Sequence, residues 1–171
     1  KAALDMAPNK TDANDADGLS LLAEVGFYRE VRVKHYDSML SRTLVGARTQ
    51  LIKISTELSN QIRGLMKTFG LVVPKGAGRV FEANVRRLLA DNDGLARIIL
   101  PLLEAWRSIR GRATELDRQV IAAARQSAPC RLLMSIPGVG AVTATSFTAA
   151  IEDPKNFKTS RAVGAWVGLT T

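Results

Sequence analysis

The sequence predicts a mainly α-helical chain: a long antiparallel coiled-coil arm followed by a small helical domain with a helix-hairpin-helix-like turn. Three observations lead there. Apolar residues recur at heptad spacing over two separate stretches, a Pro-Gly-x-Gly break divides two shorter apolar runs, and basic residues crowd the helical part. Heptad recurrence gives each helix a narrow apolar seam, which is stable only when it lies against another seam.

Leu40, Leu44, Ala47, Leu51, Ile54, Leu58, Ile62, Leu65 and Phe69 form one seam. Leu95, Ile99, Leu102, Trp106, Ile109, Ala113, Leu116, Val120 and Ala123 form the other. Each seam lasts about four heptads, long enough to specify a helix rather than a strand. Between them, Val73-Pro-Lys-Gly-Ala-Gly78 reads as a turn, Val80 to Leu89 as a short helix, and Asp91-Asn-Asp-Gly94 as the break before the second long helix. Pro101 predicts a kink in that helix or its true start.

Charge separates the chain into parts. The 171 residues carry 24 Lys and Arg against 16 Asp and Glu, a net of +8. Residues 1–37 hold 5 basic and 7 acidic residues, so the excess belongs to residues 38–171, which hold 19 and 9. A basic body predicts an anionic partner. The outer helix faces are assigned Arg42, Arg48, Lys53, Arg63 and Lys67, then Arg107, Arg110, Arg112, Arg118 and Arg125. Such charges ordinarily do no more than solvate a helix. The second set, however, has few acids beside it, which favours phosphate contact. Cys130 is the only cysteine, which excludes an internal disulfide and a cysteine-built zinc site, and His35 the only histidine, which argues against a histidine-metal or histidine-base active site. His35 is expected at a helix end or on the surface. No apolar run approaches the roughly 20 residues that cross a bilayer, and a cytoplasmic protein is expected.

The glycine break lies in Leu132-Leu-Met-Ser-Ile-Pro-Gly-Val-Gly-Ala-Val-Thr-Ala-Thr-Ser-Phe147, where a second apolar run restarts at helical spacing. Gly138 and Gly140 allow a tight turn and the close approach of bare backbone to a ligand. The following helix aims unpaired N–H groups and its positive dipole end past that turn. This is the pattern of a phosphate-gripping hairpin, with Gly138, Val139 and Gly140 as contact residues. An ordinary helix stop followed by a new helix has the same pattern. Beyond it, Asp153-Pro154 ends a helix and Thr159 or Ser160 caps the next, with Lys155, Lys158 and Arg161 near its start and Trp166 expected in the core.

At the N-terminal end, Asp12 and Asp15 lie three residues apart and project from one helix face. A hard cation between them relieves their repulsion, but such a cation takes more oxygen ligands than one pair supplies. Helix capping by Thr11 or Asp12, with acids in the first turn, accounts for them more simply on chemistry alone. Leu19, Leu22 and Ala23 form the expected buried stripe.

Taken together, Ile136-Pro-Gly-Val-Gly140, Glu152-Asp-Pro-x-x-Phe157 and Gly164-Ala-Trp-Val-Gly-Leu-Thr170 resemble the C-terminal domain of insertion-sequence transposases with a DEDD motif, the bridge-RNA-guided recombinases. Lys10-Thr-Asp-Ala-Asn-Asp-Ala16 is similar to the element carrying the last two acids of that motif. The resemblance implies residues 1–37 as the end of a RuvC-like α/β domain, 38–127 as the coiled-coil arm and 128–171 as the start of the transposase domain. It implies Asp12 and Asp15 as catalytic residues and ligands of Mg²⁺, with the other two acids and a nucleophilic serine outside the chain. Thr171 stands where the family has proline. DNA, a guide RNA and a second copy of the chain, as dimer or tetramer, become the implied partners. The chain opens without methionine and stops in mid-pattern, so an internal fragment without strand cleavage of its own is expected. The competing expectation is a non-catalytic helix-hairpin-helix module on a coiled-coil oligomerisation arm.

Overall fold

A computed structural model describes residues 11–28 and 33–168. The chain divides into two compact units, residues 1–33 and 34–171. Among the described residues every regular element is helical.

In the first unit, α1 (Asp12–Glu24) is capped by Thr11, whose hydroxyl accepts the Asn14 amide at 3.3 Å. The expected apolar stripe is not buried. Leu19 is 56% exposed, Leu22 half-buried and Ala23 exposed, α1 being the one described element of its unit.

The second unit is built on α2 (Tyr36–Thr68) and α4 (Asp93–Gln126), each about 50 Å long at 1.5 Å per residue. They run antiparallel. Ile62 and Met66, late in α2, share a core with Leu95, Ile99, Leu103 and Trp106, early in α4, whereas Arg48 reaches Asp117 further along. α3 (Arg79–Leu88) closes the tip: Phe81 is 1% exposed and meets the Trp106 ring edge-on at 4.8 Å. α4 runs unbroken through Pro101, which therefore does not mark its start. Proline removes the amide that would bond the Arg97 carbonyl, and both residues lie at the surface, so water can take its place.

The seam departs from strict heptads. Met66, Leu103 and Ala124 occupy the deep positions in place of Leu65, Leu102 and Ala123, while Leu40 and Phe69 at the ends are exposed. An α-helix turns once per 3.6 residues rather than 3.5, so a straight pair drifts off a heptad register unless it supercoils.

Two of the basic residues assigned to outer faces turn inward. Arg48 is half-buried and donates to Asp117 at 2.7 Å. Arg63 donates to the carbonyls of Val73, Pro74 and Gly76 at 3.0–3.1 Å and lies 4.7 Å from the Phe81 ring centroid, fastening the loop before α3. The open end of the hairpin is filled by α5 (Ala128–Met134) and α6 (Ala141–Ile151), with α6 packed on both long helices. Ala124, Cys130 and Ala144 form the core there. A short 3₁₀ turn (Pro154–Asn156) and α7 (Ser160–Trp166) follow.

Candidate nucleic-acid interface

The turn between α5 and α6 takes the shape its glycines suggest, though they act differently. Gly138 has φ +86°, a left-handed conformation that side chains resist. Gly140, the N-cap of α6, is extended at φ −91°, ψ 174°, which any residue can adopt. Its lack of a side chain is therefore not needed for the turn itself. A Cβ at either position would meet nothing within 4 Å, so the backbone here is open to a large ligand. No side chain caps α6. The amides of Ala141, Val142 and Thr143 carry no hydrogen-bond partner among the described residues, while the Ala144 amide is taken by Gly140 O at 2.9 Å. Val139 is half-buried and packs onto the core beneath, which fixes the turn in place.

The remaining basic candidates are all solvent-facing. Arg107, Arg110 and Arg118 on α4 reach the surface. Arg107 and Arg118 are eleven residues apart and share one face to within about 20°, as three helical turns require. Arg107 lies 3.9 Å from Glu82, a carboxylate held more closely by Arg86 at 3.0 Å. Arg110 sits 5.2 Å over the Trp106 ring. Lys155, Lys158 and Arg161 are exposed after α6 and make no ion pair among the described residues.

Asp12 and Asp15 occupy the first turn of α1, the former exposed and the latter half-exposed. As carboxylates they suit a hard cation such as Mg²⁺, and they would supply two of its oxygen ligands. Among the described residues no group of three potential ligands exists.

Two features escaped the sequence reading. First, α2 and α6 cap one another. The Lys34 ammonium donates to the carbonyls of Ala149 and Ala150 at 2.9 and 2.7 Å, where α6 ends, and Glu152 Oε1 accepts the His35 amide at 2.8 Å, where α2 begins. Glu152 adopts φ +60°, and the Ser38 hydroxyl, the His35 amide and the Lys34 charge hold its carboxyl below the usual range despite some burial. The sequence around Lys34 gives no hint of this role. His35 is the exposed N-cap, as expected of it. Second, Trp166 is 64% exposed rather than in the core. It borders an open groove of about 510 Å³ together with Lys34, Arg42, Gly46, Ser146 and Ala150.

Comparison with known proteins adds to the geometry. Residues 130–171 match the family described as Transposase IS116/IS110/IS902. Over 94% of its length the chain is 35% identical to a Sinorhizobium fredii protein that carries a transposase name (y4pF/y4sB), covering 42% of that protein. It is 33% identical to the transposase for insertion sequence element IS1111A of Coxiella burnetii, again over 94% of this chain and 45% of the relative. The transposase for insertion sequence element IS1328 of Yersinia enterocolitica is 24% identical, over 94% and 48%. The chain thus spans less than half the length of these relatives. No solved structure matches it. Among the described residues no helix is long and apolar enough to cross a membrane.

Proposed function

We propose, from the membership of this chain in an insertion-sequence transposase family, that it is the arm and phosphate-gripping elbow of an enzyme that cuts and rejoins DNA. The observation that carries this reading is the α5–α6 turn, where free amides at a helix start open onto solvent on a chain of net charge +8. Backbone N–H groups and a positive dipole end bind phosphate without regard to base, and Arg107, Arg110, Arg118, Lys155, Lys158 and Arg161 extend that attraction. The antiparallel hairpin serves as a coiled-coil arm through which copies of the chain associate.

In the intact protein Asp12 and Asp15 would hold Mg²⁺ with acids from elsewhere, the N-terminal unit being the end of a RuvC-like domain. The metal, when bound, supplies electrostatic stabilisation of phosphoryl transfer. These two residues contribute hard oxygen donors and hold them on one helix face. A bound RNA would guide target choice by base pairing, and the work on DNA would be done in the cytoplasm. The test of the catalytic assignment is Asp12→Asn in the protein with its flanks restored, assayed for recombination with Mg²⁺. Loss of activity with binding retained is expected, and undiminished activity refutes it.

A second reading, a non-catalytic binding module on an oligomerising arm, is favoured for these 171 residues by one observation. Among the described residues no third ligand joins Asp12 and Asp15. It predicts duplex binding with a marked salt slope and no strand cleavage.

A further inference from the structure

We infer that the groove between α2, α6 and α7 seats an unpaired nucleotide of a single strand, with its base on Trp166 and its phosphate at Arg42. This deepens the nucleic-acid reading above and rests on it for the class of partner, but its location and residues are separate from the α5–α6 turn.

The lining sets the Trp166 ring beside two cations, Lys34 and Arg42, and includes no acid. A tryptophan 64% exposed leaves a large apolar ring in water, and Phe157 braces it from 6.1 Å in a T-shaped contact. Braced, exposed rings beside a basic groove are how single-stranded chains are held, since every base has a π-face to stack. Arg42 is exposed and makes no ion pair or hydrogen bond among the described residues, so its guanidinium is available to a phosphate. Lys34 spends two of its three N–H donors on Ala149 and Ala150, and its charge still counts in the groove. Ser146 adds an exposed hydroxyl from α6.

Gly46 also lines the groove. It lies inside α2, where glycine costs about 0.5–1 kcal/mol against alanine. Nothing lies within 4 Å of the place its Cβ would occupy, so close helix packing does not account for it. What the missing side chain leaves is room in the groove. The cavity of about 510 Å³ falls in the range of small-ligand sites, roughly 300–1,000 Å³.

The test uses the 171-residue chain with labelled twelve-nucleotide oligothymidylate and oligouridylate, and a blunt duplex of the same length, followed by anisotropy. Quenching of tryptophan by acrylamide reads the site directly, because Trp106 is buried and Trp166 exposed. Binding of either oligonucleotide should protect the exposed tryptophan from acrylamide. Trp166→Ala should weaken single-strand binding about tenfold, Trp166→Phe should restore most of it, and duplex binding should stay within about twofold. Gly46→Leu should weaken single-strand binding similarly while leaving Tm unchanged or raised, which separates blockage from unfolding. The tighter of the two oligonucleotides identifies the strand as DNA or RNA. No single-strand binding by the unaltered chain, no protection of tryptophan, or equal losses for single strand and duplex would each overturn the proposal. Duplex binding that is absent throughout, with the single-strand pattern as described, would sink the turn's assignment and leave the groove standing.

Discussion

Replacing the two turn glycines one at a time separates folding from binding. At Gly138 the backbone holds φ +86°, so Gly138→Ala places a Cβ in the left-handed region, at a cost of about 1–2 kcal/mol. There is no added clash, because nothing lies within 4 Å of that Cβ. For a unit of this size each kcal/mol is worth about 3 °C, so Tm should fall by roughly 3–6 °C. At Gly140 the backbone is extended, so Gly140→Ala carries almost no strain and Tm should move by less than about 1 °C. Yet its methyl group would stand beside the free amides of Ala141 and Val142. If a phosphate comes down on those amides, Gly140→Ala should weaken duplex binding at least roughly fivefold and flatten the dependence of affinity on salt. Thermal melts by circular dichroism and anisotropy titrations at several salt concentrations give both readouts. A Gly140→Ala protein that binds duplex as tightly as the parent refutes the turn as the site of close approach. A Gly138→Ala protein that melts at the parent's temperature refutes the strain argument.

Arg63→Met keeps an apolar stem but deletes three bonds to loop carbonyls and the contact with Phe81. It should cost about 2–3 kcal/mol and loosen the loop so that trypsin cuts faster at the exposed Lys75 well below the melting temperature, which a digestion time course reads. The Glu152 carboxyl is held below its ordinary value of 4.5, first by Ser38 and then by the His35 amide. Its contribution is therefore complete above that value and disappears as pH falls through the lowered one. The Tm gap between the parent and Glu152→Gln should be steady near pH 7 and close under acid; a gap independent of pH would deny the carboxylate its capping role. Gly64→Ala, inside α2 with open space around it, should raise stability by about 0.5–1 kcal/mol in the same melts.

What could be read from the sequence follows the range of the forces involved. The two long helices and the turn before α6 were legible because their signals are local and repeated: a seam sustained over many turns, and a proline and glycines that stop one helix and admit another. Thr11 as a cap was legible for the same reason. Arg48 and Arg63 were not, because a basic residue on a helix reads as solvent-facing until its acceptor is known. The acceptor of Arg48 is Asp117, 69 residues away. Trp166 was misplaced because a seven-residue helix is too short for periodicity to resolve its inner face. Neither the Lys34 and Glu152 exchange nor the groove beside Arg42 could be seen, since each joins residues more than 100 positions apart. The acids of α1 stay as the sequence left them, a pair in the first turn of a helix with no third potential ligand beside them among the described residues.

The exchange between Lys34 and the end of α6 has a mechanical side. Because the chain enters this unit and returns from α6 at almost the same point, tension applied there would run straight across the tied carbonyls and amide. The long hairpin between them hangs off the line of pull. Its tip could be lengthened without disturbing the knot at its root.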